Sequence, residues 1–397
     1  MKALFVHSHR FFLKDNEYYT SGTLNNTLFE RYFAVFEEVE VLARCEIIGN
    51  DKYNDKIIEN NKVTLPILNL INVVDSFNYK QIFPWVKKAV MATDCVIARL
   101  PSVLGIIACY YALKLHKPWA VEVVGHAWDA LWYHGSLKGK ISAPILTFLT
   151  KTMVKKAPYV LYVTNNFLQM HYPTRGKSIA CSNVELPIFD EEVLEKRLTK
   201  IDSKTYPIKI GLIGAMSSKL KGIDDAIKAL SIARSQLPPF EFHVLGGGDK
   251  RYFYKLAVQK GLKEEVKFDG TLPSGKPVFD WLDQLDLYIQ PSKQEGLPRA
   301  LIEALSRGLP AIGSSVGGIP ELLDEECIIK PGDINSLGKK IVWVLSNPSK
   351  QKELAMRNFK RAGEYSKTIL DKRRTGFWRE FRDYAVEQKR KPYNKNG

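Results

Sequence analysis

Short apolar runs rich in β-branched and aromatic residues recur along the chain, separated by longer stretches of helical periodicity. This alternation predicts parallel α/β sheets. Two series stand out. The first has strand candidates over residues 3–7, 39–42, 95–98, 120–124 and 160–163, and the second over 208–214, 242–245 and 285–290. Between them, residues 190–207 are rich in charge and poor in core residues, which predicts a linker. The expected domains are therefore residues 1–189 and 208–372. A last helix and polar, basic tail would fill 373–397, with Phe377, Trp378, Phe381 and Tyr384 at helical spacing.

The segment after the 285–290 strand carries the most pointed chemistry. Pro291 and Ser292 end the strand, Pro298 suits a first helical turn, and Ala300, Leu301, Ile302, Ala304 and Leu305 make the next helix almost wholly apolar. Glu303 is the only charge between Arg299 and Arg307, where an unpaired carboxylate would be costly. Glu295 lies eight positions before it. A helix beginning near Glu295 would set the two carboxylates roughly 12 Å apart along its axis. Free amides at the helix start and the positive end of its dipole suit a diphosphate between them. Two carboxylates receiving hydroxyls on either side of a diphosphate describe a nucleotide sugar. The alternative is a Glu295 that stabilises a helix start and a Glu303 on a solvated face.

Glu295-x7-Glu303, followed by Gly308-Leu309-Pro310 and Val316-Gly317-Gly318-Ile319-Pro320-Glu321, resembles the family 4 glycosyltransferases. Lys221-Gly222, the turn Gly246-Gly247-Gly248-Asp249 and the run Val266-Lys267-Phe268-Asp269-Gly270 are similar to further family elements, so the likeness runs through the C-terminal half. It implies a GT-B fold, α/β, with two facing Rossmann-like domains and a C-terminal helix returning to the first. The first domain would take the acceptor and the second the nucleotide sugar, in a cleft beyond the carboxyl ends of the strands. The implied activity is a retaining, hexosyltransferase-type transfer from a UDP-sugar or GDP-sugar to a hydroxyl of a glycan or lipid-linked acceptor, as in surface polysaccharide biosynthesis. No cofactor and no metal are expected, because basic side chains and helix amides replace a cation at the diphosphate. Two other readings remain open: a nucleotide-sugar epimerase of the same fold, and a non-catalytic sugar-nucleotide-binding subunit.

The resemblance assigns roles residue by residue. Lys221 matches the diphosphate lysine, Glu295 the group on the donor sugar's hydroxyls and Glu303 the group on the ribose. His126, at the end of the run Val121-Glu122-Val123-Val124, resembles a histidine directed at the donor sugar. Gly214 ends a strand before a loop suited to phosphate, and Gly296, Leu297, Pro298 and Arg299 continue the donor site. Gly22 stands where the family has a glycine turn near the nucleotide. The usual arginine after Gly214 is missing: Ala215 occupies its place, and Lys219 is either the substitute cation or a solvated lysine. Arg99 is either an acceptor-binding cation or a structural ion pair.

Composition adds a question about partners. The 397 residues carry 58 Lys+Arg against 43 Asp+Glu, a formal net charge of +15, which would draw anionic small molecules, membranes or nucleic acid. No nucleic-acid-binding signature accompanies it. The five cysteines lack any C-x-x-C pair and read as buried thiols of a reducing compartment, and no Cys/His cluster suggests zinc. The N-terminal apolar run is too short for a signal sequence, and no stretch reaches the ~20 apolar residues of a membrane span. The expected location is cytoplasmic. Residues 137–156 interleave lysines with Ile, Leu, Phe, Met and Val, and fit either a peripheral contact with the inner membrane face or an ordinary helix packed on its domain.

Overall fold

A computed structural model describes residues 1–15, 17–20, 24, 26–47, 56–57, 63–64, 79–132, 137–186 and 190–390. The chain divides into two compact units: Met1–Cys181 with Asp371–Gly397, and Ser182–Leu370.

The first unit is built on a mainly parallel sheet whose neighbouring strands are Glu38–Ile47, Lys2–Lys14, Cys95–Leu100, Trp119–Val123, Tyr159–Tyr162 and Lys177–Ala180. Alternation along each strand sends side chains to two apolar layers. Leu4 and Val6 pack with helices Tyr79–Ala92, Val103–Lys114 and Leu137–Lys156. Phe5 points the other way and meets Phe29 and Tyr32 of helix Asn26–Phe33, with ring centroids 5.6 and 5.2 Å away. Tyr32 in turn meets Trp378, 5.5 Å off and fully buried. The C-terminal helix Lys367–Arg390 therefore joins the first unit from Asp371 onward, as the family resemblance implies.

The second unit holds six parallel strands in the spatial order Val266–Gly270, Phe240–Leu245, Ile208–Ile213, Leu287–Gln290, Ala311–Ser314, Ile328–Ile329. This is the 3-2-1-4-5-6 order of a Rossmann sheet. Chain direction across the sheet reverses between Ile208–Ile213 and Leu287–Gln290, and the crevice at that switch point is where open α/β sheets bind ligands.

The expected linker is corrected. Residues 190–207 contain helix Glu192–Ser203, and the first unit ends at Cys181, not at residue 189. Its charges look like those of a linker, yet two of them, Arg197 and Lys200, cap other helices. The buried Arg197 donates to the main-chain oxygens of Arg307 (3.1 Å), Leu282 (3.2 Å) and Leu285, and Lys200 reaches those of Gln284 (2.6 Å) and Leu285 (2.9 Å). These carbonyls sit just beyond or within the ends of helices Lys276–Asp283 and Arg299–Ser306, where the last turn lacks intrahelical partners. Burial lowers Arg197 to about 10, against the opposing pull of Asp283 and Asp286.

Candidate active site

The loops leaving the two strands at the switch point supply Lys221 and Glu295. Lys221 Nζ lies 2.6 Å from Glu295 Oε1, with the lysine side chain 32% exposed and the glutamate side chain 7%. The same oxygen accepts from Ser292 Oγ at 2.8 Å and Gln290 Nε2 at 3.0 Å. Gln290 Oε1 accepts from the Tyr288 hydroxyl at 2.6 Å, inside the sheet. Burial, with smaller contributions from Glu295 and Glu303, pushes that hydroxyl well above its ordinary range. Three donors thus fix the Glu295 carboxylate through a single oxygen.

Tyr288, Gln290 and Ser292 were not singled out in the sequence. The available signal was a glutamine ending a strand in which every residue is buried. Gln290→Leu leaves the buried Tyr288 hydroxyl without its acceptor and removes one donor from Glu295. It is expected to cost about 1–3 kcal/mol of stability, read from the denaturant midpoint.

Close backbone approach locks these loops together. Gly222 has φ +71°, and a Cβ there would lie 2.0 Å from the Pro291 carbonyl oxygen. Gly317, at φ +54°, would place one 2.3 Å from that of Glu295. Only glycine satisfies both the left-handed backbone and the contact. Gly214 leaves room for Lys221 itself, whose Cβ and Cγ would stand 2.7 Å from an added Cβ. Gly318 N donates to Gly296 O at 2.6 Å, which ties the turn after Ala311–Ser314 to the same loop.

The helix is shorter than the spacing suggests. It runs Arg299–Ser306 with Pro298 at its N-cap, so Glu295, Gly296 and Leu297 lie in the preceding loop. The axial-rise figure of roughly 12 Å, which assumed helix from Glu295, does not describe the pair's separation. Glu303 is 8% exposed and faces the interior, not a solvated side. Arg299 Nη1 stands 3.7 Å from it on the same helix. Burial raises the Glu303 carboxyl despite this arginine. Lys219 Nζ sits over the Tyr252 ring, 3.9 Å from its centroid, in a cation–π contact.

In the first unit, His126 follows strand Trp119–Val123 and opens helix Ala127–Trp132. Its Nδ1 is 2.8 Å from Asp129 Oδ2, and its ring lies 4.4 Å from that of His171 and 5.7 Å from those of Phe167 and Tyr172. Tyr172 accepts from Ala127 N at 2.8 Å, fixing the turn. His171 escaped the sequence reading because it comes from a separate helix, Phe167–His171, whereas Asp129 lies on the turn that follows His126 and was given no role there. Arg99 forms an ion pair with Glu122, Nε to Oε2 3.1 Å, between neighbouring strands, and both side chains are buried. Tyr32 also reaches Glu122, at 3.3 Å. Burial, then the Arg99 charge, lowers the adjacent His7 to about 3. Arg99 thus has the structural partner that the sequence left open. Gly22 lies outside the described residues.

Residues 195–361 match the family model described as Glycosyl transferases group 1. Protein CapJ of Staphylococcus aureus is 33% identical over 376 residues, spanning 92% of each chain. The chain belongs to the group 1 glycosyl transferases. A second relative, the amylovoran biosynthesis glycosyltransferase AmsK of Erwinia amylovora, is 35% identical over 130 residues, 31% of each chain. This group 1 glycosyltransferase shares its GT-B fold with solved structures. Anabaena Alr3699/HepE, crystallised in complex with UDP, superposes with a TM-score of 0.63 at 15% identity, covering 98% of this chain and all of the other. Among the described residues, no group of three or more His, Cys, Asp and Glu could hold a metal ion.

Proposed function

We propose that this enzyme is a retaining, family 4-type hexosyltransferase. It moves a sugar from UDP or GDP to a hydroxyl of a glycan or lipid-linked acceptor in surface polysaccharide biosynthesis, in the cytoplasm and in peripheral contact with a membrane. One observation carries the reading: Lys221 and Glu295 meet at the switch point of a Rossmann sheet, with buried Glu303 on the next helix. AmsK's part in amylovoran biosynthesis and the UDP bound by Alr3699/HepE support the polymer and donor classes.

In the transfer, the bond between the anomeric carbon and the diphosphate oxygen breaks. The acceptor oxygen bonds the same face of the sugar, and its proton passes to the diphosphate. Negative charge grows on the leaving group, so preplaced cations and amides lower the barrier most. Lys221 supplies the cation. Glu295, held through one oxygen, keeps its other oxygen for sugar hydroxyls, and Glu303 takes the ribose. His126, beside Asp129, is assigned to the donor sugar by the resemblance alone. With side chains and amides at the diphosphate, no divalent metal takes part.

The test is incubation with UDP- and GDP-hexoses and a lipid-linked acceptor, with EDTA present. Nucleoside diphosphate release only with acceptor, and a product of unchanged anomeric configuration, is expected. An inverted product, a metal requirement, or sugar isomerisation without acceptor would overturn the reading.

A further inference from the structure

Helix Leu137–Lys156 has a buried side, which includes Gly139, Ala143, Thr150, Met153 and Val154. Its opposite side is apolar too, and open. Leu137 is 75% exposed, Ile141 63%, Ile145 59% and Phe148 69%. At 100° per residue these four fall within one quarter of the helix circumference, a continuous stripe. Lys140 and Lys151 border it on one side and Lys138 and Lys156 on the other, while Lys155 follows in line at the C-terminal end. All five lysines are exposed, and among the described residues none stands in an ion pair. Trp132, stacked on Trp128 at 4.9 Å, faces Lys140 Nζ at 5.6 Å and is itself 38% exposed.

The pattern extends to the neighbours. Helix Val103–Lys114 packs between Tyr79–Ala92 and Leu137–Lys156; Trp85 and Met91 are exposed on Tyr79–Ala92, and Tyr110 and Leu113 on Val103–Lys114. None of the three helices contains an aspartate or a glutamate, whereas Tyr79–Ala92 carries three lysines, Leu137–Lys156 five and Val103–Lys114 one. A three-helix layer free of carboxylates, with exposed aromatics and a lysine-bordered apolar stripe, matches the chemistry of a bilayer interface. Apolar side chains enter the acyl boundary, aromatic rings sit at headgroup level, and lysines extend to anionic phosphates. Left in water, such a stripe favours aggregation.

We infer that this layer, centred on Leu137–Lys156, docks the enzyme on an anionic lipid surface. The inference rests on the membrane contact in the proposed function and names its surface; it uses no catalytic assignment. Lipid binding and sugar transfer are read separately, so failure of one is distinguishable from failure of the other.

The full-length protein is floated with phosphatidylglycerol–phosphatidylcholine vesicles and with phosphatidylcholine alone, at low and high salt. Recovery with the anionic vesicles only, falling as salt screens the lysines, is expected. Ile141→Ser with Phe148→Ser should weaken partitioning by about tenfold or more. Lys138→Glu, Lys140→Glu and Lys151→Glu together should weaken it about a hundredfold or more, at about fivefold for each lysine. All five positions are exposed, so melting temperatures should stay unchanged. Absence of flotation on anionic vesicles, equal flotation on neutral ones, or undiminished flotation of both variants would overturn the inference. Self-association through the stripe without lipid binding would do so as well.

Discussion

Lys221→Ala is expected to lower the transfer rate about 10²- to 10³-fold, the usual cost of removing one preplaced donor from a developing anion. The size follows from how little else supplies charge in these loops. Ala215 stands where the resemblance leads one to expect an arginine, and Lys219 is engaged with the Tyr252 ring. Glu295 keeps Gln290 and Ser292 as donors when Lys221 is lost, so the carboxylate is not left bare. The fold should therefore survive with a small change in melting temperature, and the loss should appear in kcat. Lys221→Arg should recover part of the rate. Steady-state kinetics beside a melting curve separate these outcomes. A rate within about tenfold of the parent would remove the lysine from the diphosphate, because even one lost oxyanion donor usually costs more.

Glu303→Gln should move stability and affinity in opposite directions. Burial holds the folded carboxyl above its ordinary 4.5, although Arg299 opposes this. A raised carboxyl pKa means that the ionised form destabilises the fold. That penalty is complete above the folded pKa, shrinks as pH falls through it, and vanishes below the unfolded value. Glutamine carries no charge, so the variant should melt higher than the parent near pH 8 and lose this advantage near pH 4. Nucleoside diphosphate affinity at pH 8 should meanwhile drop about 10- to 100-fold, the range for losing a charged hydrogen bond. A residue kept only for packing would show no such trade. Thermal melts across pH and calorimetry on the same preparations check both halves. Unchanged affinity would take Glu303 out of the ribose site.

Much of this was legible because strands buried on both faces read as plain apolar runs. The 287–290 strand, buried at every position, stood out for that reason, the 208–213 and 240–245 strands by their buried apolar positions despite Lys209, Glu241 and His243, and Glu303 as an acidic residue inside an apolar helix. Lys177–Ala180 and Ile328–Ile329 did not, one being half exposed at a sheet edge and the other two residues long. The Lys221–Glu295 contact was hidden because it joins residues 74 apart. Helix Glu192–Ser203 was misread because composition cannot separate charges facing water from charges capping helices. Arg197 is 4% exposed, and only the fold brings the carbonyls to it. Leu137–Lys156 was ambiguous for a related reason: it is apolar on two sides, and sequence alone does not say which side meets the sheet.

The decisive measurement is calorimetric titration of UDP, GDP and ADP into the EDTA-treated enzyme and into Lys221→Ala. Saturable binding of UDP or GDP to the parent, weakened at least about tenfold in the variant, is the result expected if Lys221 and its partners hold the donor's diphosphate without metal. Failure of all three nucleotides to bind, binding that returns only with a divalent cation, or equal binding by both proteins would contradict it.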